Sequence, residues 1–300
     1  MEWVTALSNT IQYIEAHLLE NLTLSEIAEQ VYLSPLYLQK GFQILSGSTI
    51  SEYIRNRRLS LAAEEILSTD IKIIDAAYKY GYDTPESFTK AFTRFHGISP
   101  AQIRKANAKP VVYLPLKINL SIQGGNSMQD LHFTVSPMFP FKIIGFARDF
   151  DYETAYAEIP KFWDEICEKY ANPLYETMQP KNPFEQAIMD NCIGEYGVCI
   201  DDIGDGKFRY LIGGKYTGGE VPEGMTLVEI PYFQWAKFKT FGPMPDALQT
   251  LNTEVFRSWL PNNPDYEIAA PLNIEWYSCD GEKSDADYES AIWVPVKKKE

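Results

Sequence analysis

"YGYDTPESFTKAF", residues Tyr80 to Phe92, repeats the pattern of "VYLSPLYLQKGF", residues Val31 to Phe42. Pro85 falls on Pro35, Phe88 on Leu38, Lys90 on Lys40 and Phe92 on Phe42, each fifty residues later, and Gly97 falls on Gly47. Ala77 falls on Ala28 at a spacing of forty-nine, so one residue has been added in the turn between them. A chain that writes one short helix–turn–helix twice is using it twice.

Each copy carries its own start and stop signals. "TLSE" (Thr23 to Glu26) reads as a capping box, with Thr hydroxyl and Glu carboxylate meeting the orphan amides of a helix start. "SP" then gives Ser34 as N-cap and Pro35 at the first helical position, where a missing N–H costs nothing. Leu38, Phe42 and Leu45 are expected to face the core, and Gly47 to close the helix. In the second copy Thr84 caps, Pro85 starts, Phe88, Phe92 and Phe95 form the buried stripe, and Gly97 closes. Upstream, Trp3, Leu7, Ile11, Ile14 and Leu18 recur at helical spacing. Between the copies, "TISEYIRNRRLSLAAEEILS" (Thr49 to Ser68) predicts one linking helix. The first 106 residues are therefore all helix.

Two helices joined by a tight turn, the second with a polar outer face, form the geometry that reads DNA. The outward positions are Leu36, Gln39, Lys40 and Gln43 in the first copy. In the second they are Pro85, Glu86, Thr89, Lys90 and Thr93. Amides suit adenine, Lys suits guanine or phosphate, Glu the cytosine amino group, and Leu a thymine methyl. Two such units on one linking helix would address major-groove faces about 34 Å apart. One chain then does what a dimer otherwise does, so a monomer on DNA is expected.

Composition limits what else the chain can be. Its 300 residues suggest about two domains, and 45% hydrophobic and 14% aromatic residues suit globular cores. No apolar run approaches a membrane span, and the N-terminus lacks a signal-like core, so a cytoplasmic location is expected. Cys167, Cys192, Cys199 and Cys279 show no metal spacing and are expected to be reduced and mostly buried. The three histidines, His17, His96 and His132, are scattered, which argues against a His-based triad or a zinc site. No metal or cofactor is implied. The net charge of −14 is unevenly divided. Residues 1–106 hold 10 Lys+Arg against 12 Asp+Glu, and the remainder 17 against 29. The first third is near neutral, with basic spots such as "RNRR" (Arg55 to Arg58), and whole-chain charge does not veto a local phosphate-binding face.

Residues 8–106 resemble the DNA-binding domain of the AraC/XylS family, above all in "AAYKYGYDTPESFTKAFTRFHGISPAQIR". The resemblance implies seven helices, two helix–turn–helix units and transcriptional control, usually activation, with double-stranded promoter DNA and RNA polymerase as the partners. Relatives offer Trp and Arg where this chain has Leu36 and Lys40, and Gln where it has Pro85 and Glu86, so the operator sequence does not carry over.

"NAKPVVYLPLKINLSIQGGNS" (107–127) reads as an extended linker that adds a strand at most, with Gly124-Gly125 as a hinge. Beyond it, from 128 to 300, strand and helix patterns alternate in two halves. "FKIIGFARDF" (Phe141 to Phe150), the helix "TAYAEIPKFWDEICEKY" (Thr154 to Tyr170), "CIGEYGVCI" and "KFRYLIGGKYT" form the first. "QWAKFKTFG", the helix "PDALQTLNTEVFRSWL", "NIEWYSC" and "ESAIWVPVK" form the second. Two β-α-β-β modules predict an α+β domain with one antiparallel sheet, both helices on one face and a cleft at the seam.

On "WAKFKTFGPMPDALQTLNTEVFRSWLPNN", then "NIEWY" and "IWVPV", residues 128–298 resemble the GyrI-like effector-binding domain. That resemblance implies a small-molecule effector, often bulky, aromatic and cationic. In "NIEWYSC" strand alternation puts Glu275 and Tyr277 on one face, with Ile274 and Trp276 on the other. A carboxylate among aromatic neighbours is costly unless paired, and a ligand cation can be its partner through charge and cation–π attraction. Trp163, Tyr196, Trp235 and Trp293 are the candidate walls, and Glu195 is the first-half counterpart of Glu275. Two other readings stay open: a small-molecule hydrolase in which Glu and Tyr activate water, and a drug-sequestering or protein-binding module. The chain has no GxSxG, HExxH, Gly-rich phosphate loop or patterned Cys–His pair, and an enzyme is not expected.

Overall fold

In a computed structural model of the chain, residues 3–106, 108–118, 131–204 and 206–299 are described. The chain divides into two compact units, one helical and one built on a sheet.

The helical unit runs α1 (Trp3–Ala16), α2 (Leu24–Gln30), α3 (Pro35–Ser46), α4 (Ile50–Ser68), α5 (Ile73–Lys79), α6 (Pro85–His96) and α7 (Pro100–Ala106). The sequence repeat is realised residue by residue. α3 and α6 start and end fifty positions apart, at 35 and 85 and at 46 and 96. The turns match as well: Leu33 N–H donates to Ala28 O at 3.1 Å, and Tyr82 N–H donates to Ala77 O at 3.0 Å. Both turns pass through the left-handed region, at Tyr32 (φ +56°) and at Gly81 (φ +82°). Thr23 and Glu26 form the expected capping box, and Thr49 and Glu52 form a second one at the start of α4.

The second copy packs on α4 through a single apolar cluster. Leu59, Ala62, Ala63 and Ile66 meet Ala76, Ala77, Tyr80, Phe88, Ala91 and Phe92. In the first copy Leu38 and Phe42 are buried, but Leu45 is 38% exposed and does not face the core. The "RNRR" run is largely spent inside this unit. Arg57 grips the Glu15 carboxylate with Nε and Nη2, each at 2.8 Å, and Arg58 donates to the Leu18 and Glu20 carbonyls. A planar guanidinium against a carboxylate gives this two-bond geometry, which ties α1 to α4.

Residues 108–118 carry neither helix nor strand. They lie along the helices instead: Val111 N–H donates to His96 Nδ1, Tyr113 N–H to Ser60 Oγ, and Leu116 N–H to Tyr53 Oη. The rest of the expected linker, with the Gly124-Gly125 hinge, lies outside the described residues.

The second unit runs β1 (Phe133–Met138), β2 (Phe141–Asp151), α8 (Ala155–Ile166), a π-helical turn (Cys167–Ala171), α9 (Asn172–Thr177), α10 (Pro183–Asp190), β3 (Tyr196–Gly204), β4 (Lys207–Lys215) and β5 (Thr226–Ile230). It continues through β6 (Phe233–Phe241), α11 (Asp246–Glu254), a second π turn (Val255–Trp259), α12 (Leu260–Asn262), β7 (Tyr266–Ile268), β8 (Asn273–Tyr277) and β9 (Glu289–Lys298). The strands form one antiparallel sheet in the order β1-β6-β9-β8-β3-β4-β2-β5, with β7 on β9. The two modules therefore meet at the β3–β8 seam, β2-β4-β3 on one side mirrored by β6-β9-β8 on the other. No helix among the described residues is long and apolar enough to cross a membrane.

Strand β3 begins later than the run "CIGEYGVCI" suggests. Asn191 to Gly194 form a turn with Cys192 at φ +47°, and pairing starts only at Tyr196. Cys192 and Cys279 are exposed and Cys167 is half-buried, so of the four thiols only Cys199 is buried.

Candidate functional site

The reading surface of the second helix–turn–helix is built by alternation around α6. Thr84 Oγ1 accepts from Ser87 N–H at 3.1 Å, Pro85 opens the helix, and Gly97 at φ +73° closes it. Phe88, Ala91 and Phe92 point inward. Pro85, Glu86, Thr89, Lys90, Thr93 and Arg94 line one open groove. Arg94 was not among the expected readers, although it lies four residues after Lys90 and hence on the same face.

His96 ends that helix and fixes the segment behind it. Its Nε2 lies 3.0 Å from Leu59 O, and its Nδ1 accepts from Val111 N–H at 3.1 Å. Nε2 therefore carries the proton of a neutral ring. Burial holds its pKa below the ordinary histidine value.

In the first copy, α3 carries Leu36, Gln39, Lys40 and Gln43. Lys40 and Gln43 keep partial exposure.

In the sheet unit, Glu275 lies at the seam, directly opposite Gly197 on β3. Its Oε2 accepts from Tyr210 Oη at 2.9 Å and from Tyr277 Oη at 3.1 Å. Tyr210 Oη accepts in turn from Trp163 Nε1–H at 3.0 Å, and the Trp163 ring meets the Tyr277 ring edge-on at 5.0 Å. Gly197 makes this possible: a Cβ there would stand 2.1 Å from Tyr210 Oη and 3.0 Å from Glu275 Oε2. Burial, together with the nearby Glu275 charge, pushes the Tyr210 and Tyr277 phenols well above their usual range. Both phenols stay protonated and serve as the donors.

The expected walls separate into two sets. Directly opposed residues share a face of a sheet. Glu275 pairs Ile292, and Ile292 pairs Phe238; Ile274 pairs Trp293, and Trp293 pairs Lys237. Trp163 and Tyr277 join Glu275 on the face that both long helices cover, since Trp259 at the end of the second packs on Phe238 at 4.9 Å. Tyr196, Trp235 and Trp293 lie on the opposite face, in one apolar cluster with Ile143, Val198, Leu211 and Ile274. They do not line a pocket with Glu275, because the register places them a full sheet thickness away. At the seam the Tyr210 hydroxyl reaches Glu275 over the bare backbone of Gly197. Glu195 accepts from Trp276 Nε1–H at 2.9 Å. Sequence reasoning missed Tyr210; its only signal was the short alternation around "FRYLI". Lys283 was missed too: its Nζ lies 5.1 Å from the Trp163 ring centre and 5.8 Å from that of Tyr277.

Comparison with known proteins places both halves. Residues 27–106 match the helix-turn-helix domain family, and residues 139–296, more than half the chain, match the family described as integron-associated effector binding protein. The transcriptional activator AarP of Providencia stuartii is 38% identical over 98 residues, 33% of this chain and 73% of AarP. The transcriptional regulator Rob of Salmonella typhimurium is 32% identical over 107 residues, 36% of this chain, but the match spans only 37% of Rob. Among solved structures, an integron cassette protein from the mobile metagenome of Vibrio cholerae aligns over 56% of this chain and all of its own, at 18% identity and a TM-score of 0.39. The chain belongs to the integron-associated effector binding proteins through its sheet domain, and it carries ahead of that domain the helix-turn-helix domain of an AraC-type transcription regulator.

Proposed function

We propose that this regulator activates transcription from promoter DNA and that a small aromatic cation, bound at Glu275, modulates it. The observation that carries the effector reading is the Glu275 carboxylate itself. It is half-buried, held by two phenol donors beside the Trp163 ring, and no salt bridge reaches it among the described residues. Withdrawing a carboxylate from water is costly, and a ligand cation that pairs with it recovers that cost while its rings pack on Trp163 and Tyr277. The acidic surplus of this half of the chain steers cations toward it.

On the DNA side, the groove over Pro85, Glu86, Thr89, Lys90, Thr93 and Arg94 supports reading by α6. Leu36, Gln39, Lys40 and Gln43 of α3 are the first-copy residues that would join it. In this reading the chain works in the cytoplasm, contacts RNA polymerase from the promoter, and binds its effector without turning it over.

The test uses the full chain and two titrants of similar shape, tetraphenylphosphonium and neutral triphenylphosphine oxide, followed by calorimetry. Glu275→Gln keeps the shape and removes the charge. It should weaken the cation by about tenfold or more and spare the neutral compound, since a desolvated pair is worth more than the roughly 1 kcal/mol ceiling of an exposed one. Equal losses for both, or none, would remove Glu275 from the binding site.

A further inference from the structure

The aromatic wall beside Glu275 already has a cation on it. Lys283 Nζ stands 5.1 Å from the Trp163 ring centre and 5.8 Å from that of Tyr277, within the range of cation–π attraction for both. Its position is built rather than incidental. The loop between β8 and β9 is closed at its base by Ser278 N–H donating to Glu289 O and by Tyr288 Oη donating to Ser278 O at 2.8 Å. Within it, Glu282 N–H donates to Asp285 Oδ2 and Asp285 N–H to Glu282 O. The Lys283 carbonyl is itself pinned, accepting from Met244 N–H at 2.7 Å. The backbone around Lys283 is thus anchored at three points while its side chain remains exposed.

We propose that Lys283 is a specificity-determining residue that sets which ligand charge the site accepts. An aromatic cation must displace the ammonium from Trp163 and Tyr277 before it can stack there, so Lys283 lowers cation affinity. An aromatic anion keeps the ammonium as a partner, and a neutral ligand is indifferent to its charge. Glu275 and Lys283 then act as opposed selectors on one pair of rings, and the affinity for a cation reports their balance. The proposal rests on the reading of Glu275 as part of an effector site.

The experiment titrates full-length protein and Lys283→Met, which keeps the length and removes the charge, with tetraphenylphosphonium, triphenylphosphine oxide and tetraphenylborate. Calorimetry gives the affinities, and quenching of tryptophan fluorescence in a Trp163→Phe control locates the site. Lys283→Met should bind tetraphenylphosphonium about three- to tenfold more tightly, the size of one cation–π contact. It should bind tetraphenylborate more weakly and triphenylphosphine oxide within twofold of the parent. Cation binding by the parent that is unchanged or weakened in Lys283→Met overturns the role of Lys283 and leaves the effector site standing. Failure of both proteins to bind any of the three overturns the effector reading and this inference with it.

Discussion

Tyr210 and Glu275 meet across the seam of the two modules, the phenol donating to the carboxylate at 2.9 Å over the bare backbone of Gly197. The same hydroxyl accepts from the Trp163 indole, so one oxygen joins helix α8, strand β4 and strand β8. Tyr210→Phe leaves the half-buried Trp163 indole N–H without its acceptor and removes one of the two donors on Oε2. Stability should fall by about 1–3 kcal/mol, the cost of orphaning buried polar groups, as measured by chemical denaturation followed through the sheet domain's tryptophans.

The helical unit should weaken in acid through His96. Its ring is held neutral, donating to Leu59 O and accepting from Val111 N–H, with a pKa below the ordinary value. The unfolded chain therefore takes up the proton first as pH falls. The His96 contribution is complete above about pH 6.5 and is lost on acidification below it. His96→Leu should cost about 1–3 kcal/mol at pH 7.5 and flatten the decline between pH 7 and pH 5, as read from thermal unfolding by circular dichroism.

The two copies of the turn should respond oppositely to substitution. Tyr32 occupies the left-handed position that Gly81 fills in the second copy, and it is 83% exposed. A side chain there carries strain of about 1–2 kcal/mol, so Tyr32→Gly should be neutral to stabilising. Gly81→Ala should destabilise, because its Cβ would also stand 2.5 Å from Arg58 Nη1. Melting temperatures of the two variants decide this, and a loss in Tyr32→Gly equal to that in Gly81→Ala would contradict it.

Lys90→Ala and Arg94→Ala should weaken DNA binding at all sequences and each lower the slope of log affinity against log salt by about 1, as expected for lost phosphate contacts. A change at one base position only would instead mark a base-edge contact. Binding to duplexes selected from a random pool, measured by fluorescence anisotropy from 50 to 200 mM salt, separates the two.

Much of this architecture is legible in the chain alone because local rules generate it. Thr23, Glu26, Thr84, Pro85 and Gly97 are cap and stop residues whose chemistry acts within a few positions. The fifty-residue repeat survives as two superposable turns because Ala28 and Ala77 supply the same carbonyl to the same bond. The order of strands and helices in the two modules follows from their alternation. The turn at Asn191 to Gly194 was hidden inside an apolar run, where periodicity does not distinguish a strand from the turn that enters it.

The sequence by itself determined the helix–turn–helix duplication, the β-α-β-β order and the shared face of Glu275 and Tyr277, since alternation along one strand is a covalent property. Only the tertiary structure decided which other aromatic rings join them. Strand parity is set within a strand, but the parity of one strand against another depends on register, and a slip of one residue moves every side chain to the other face. The pairing of Gly197 with Glu275 and of Ile274 with Trp293 brings Tyr210 and Trp163 to the carboxylate and carries Tyr196, Trp235 and Trp293 away from it.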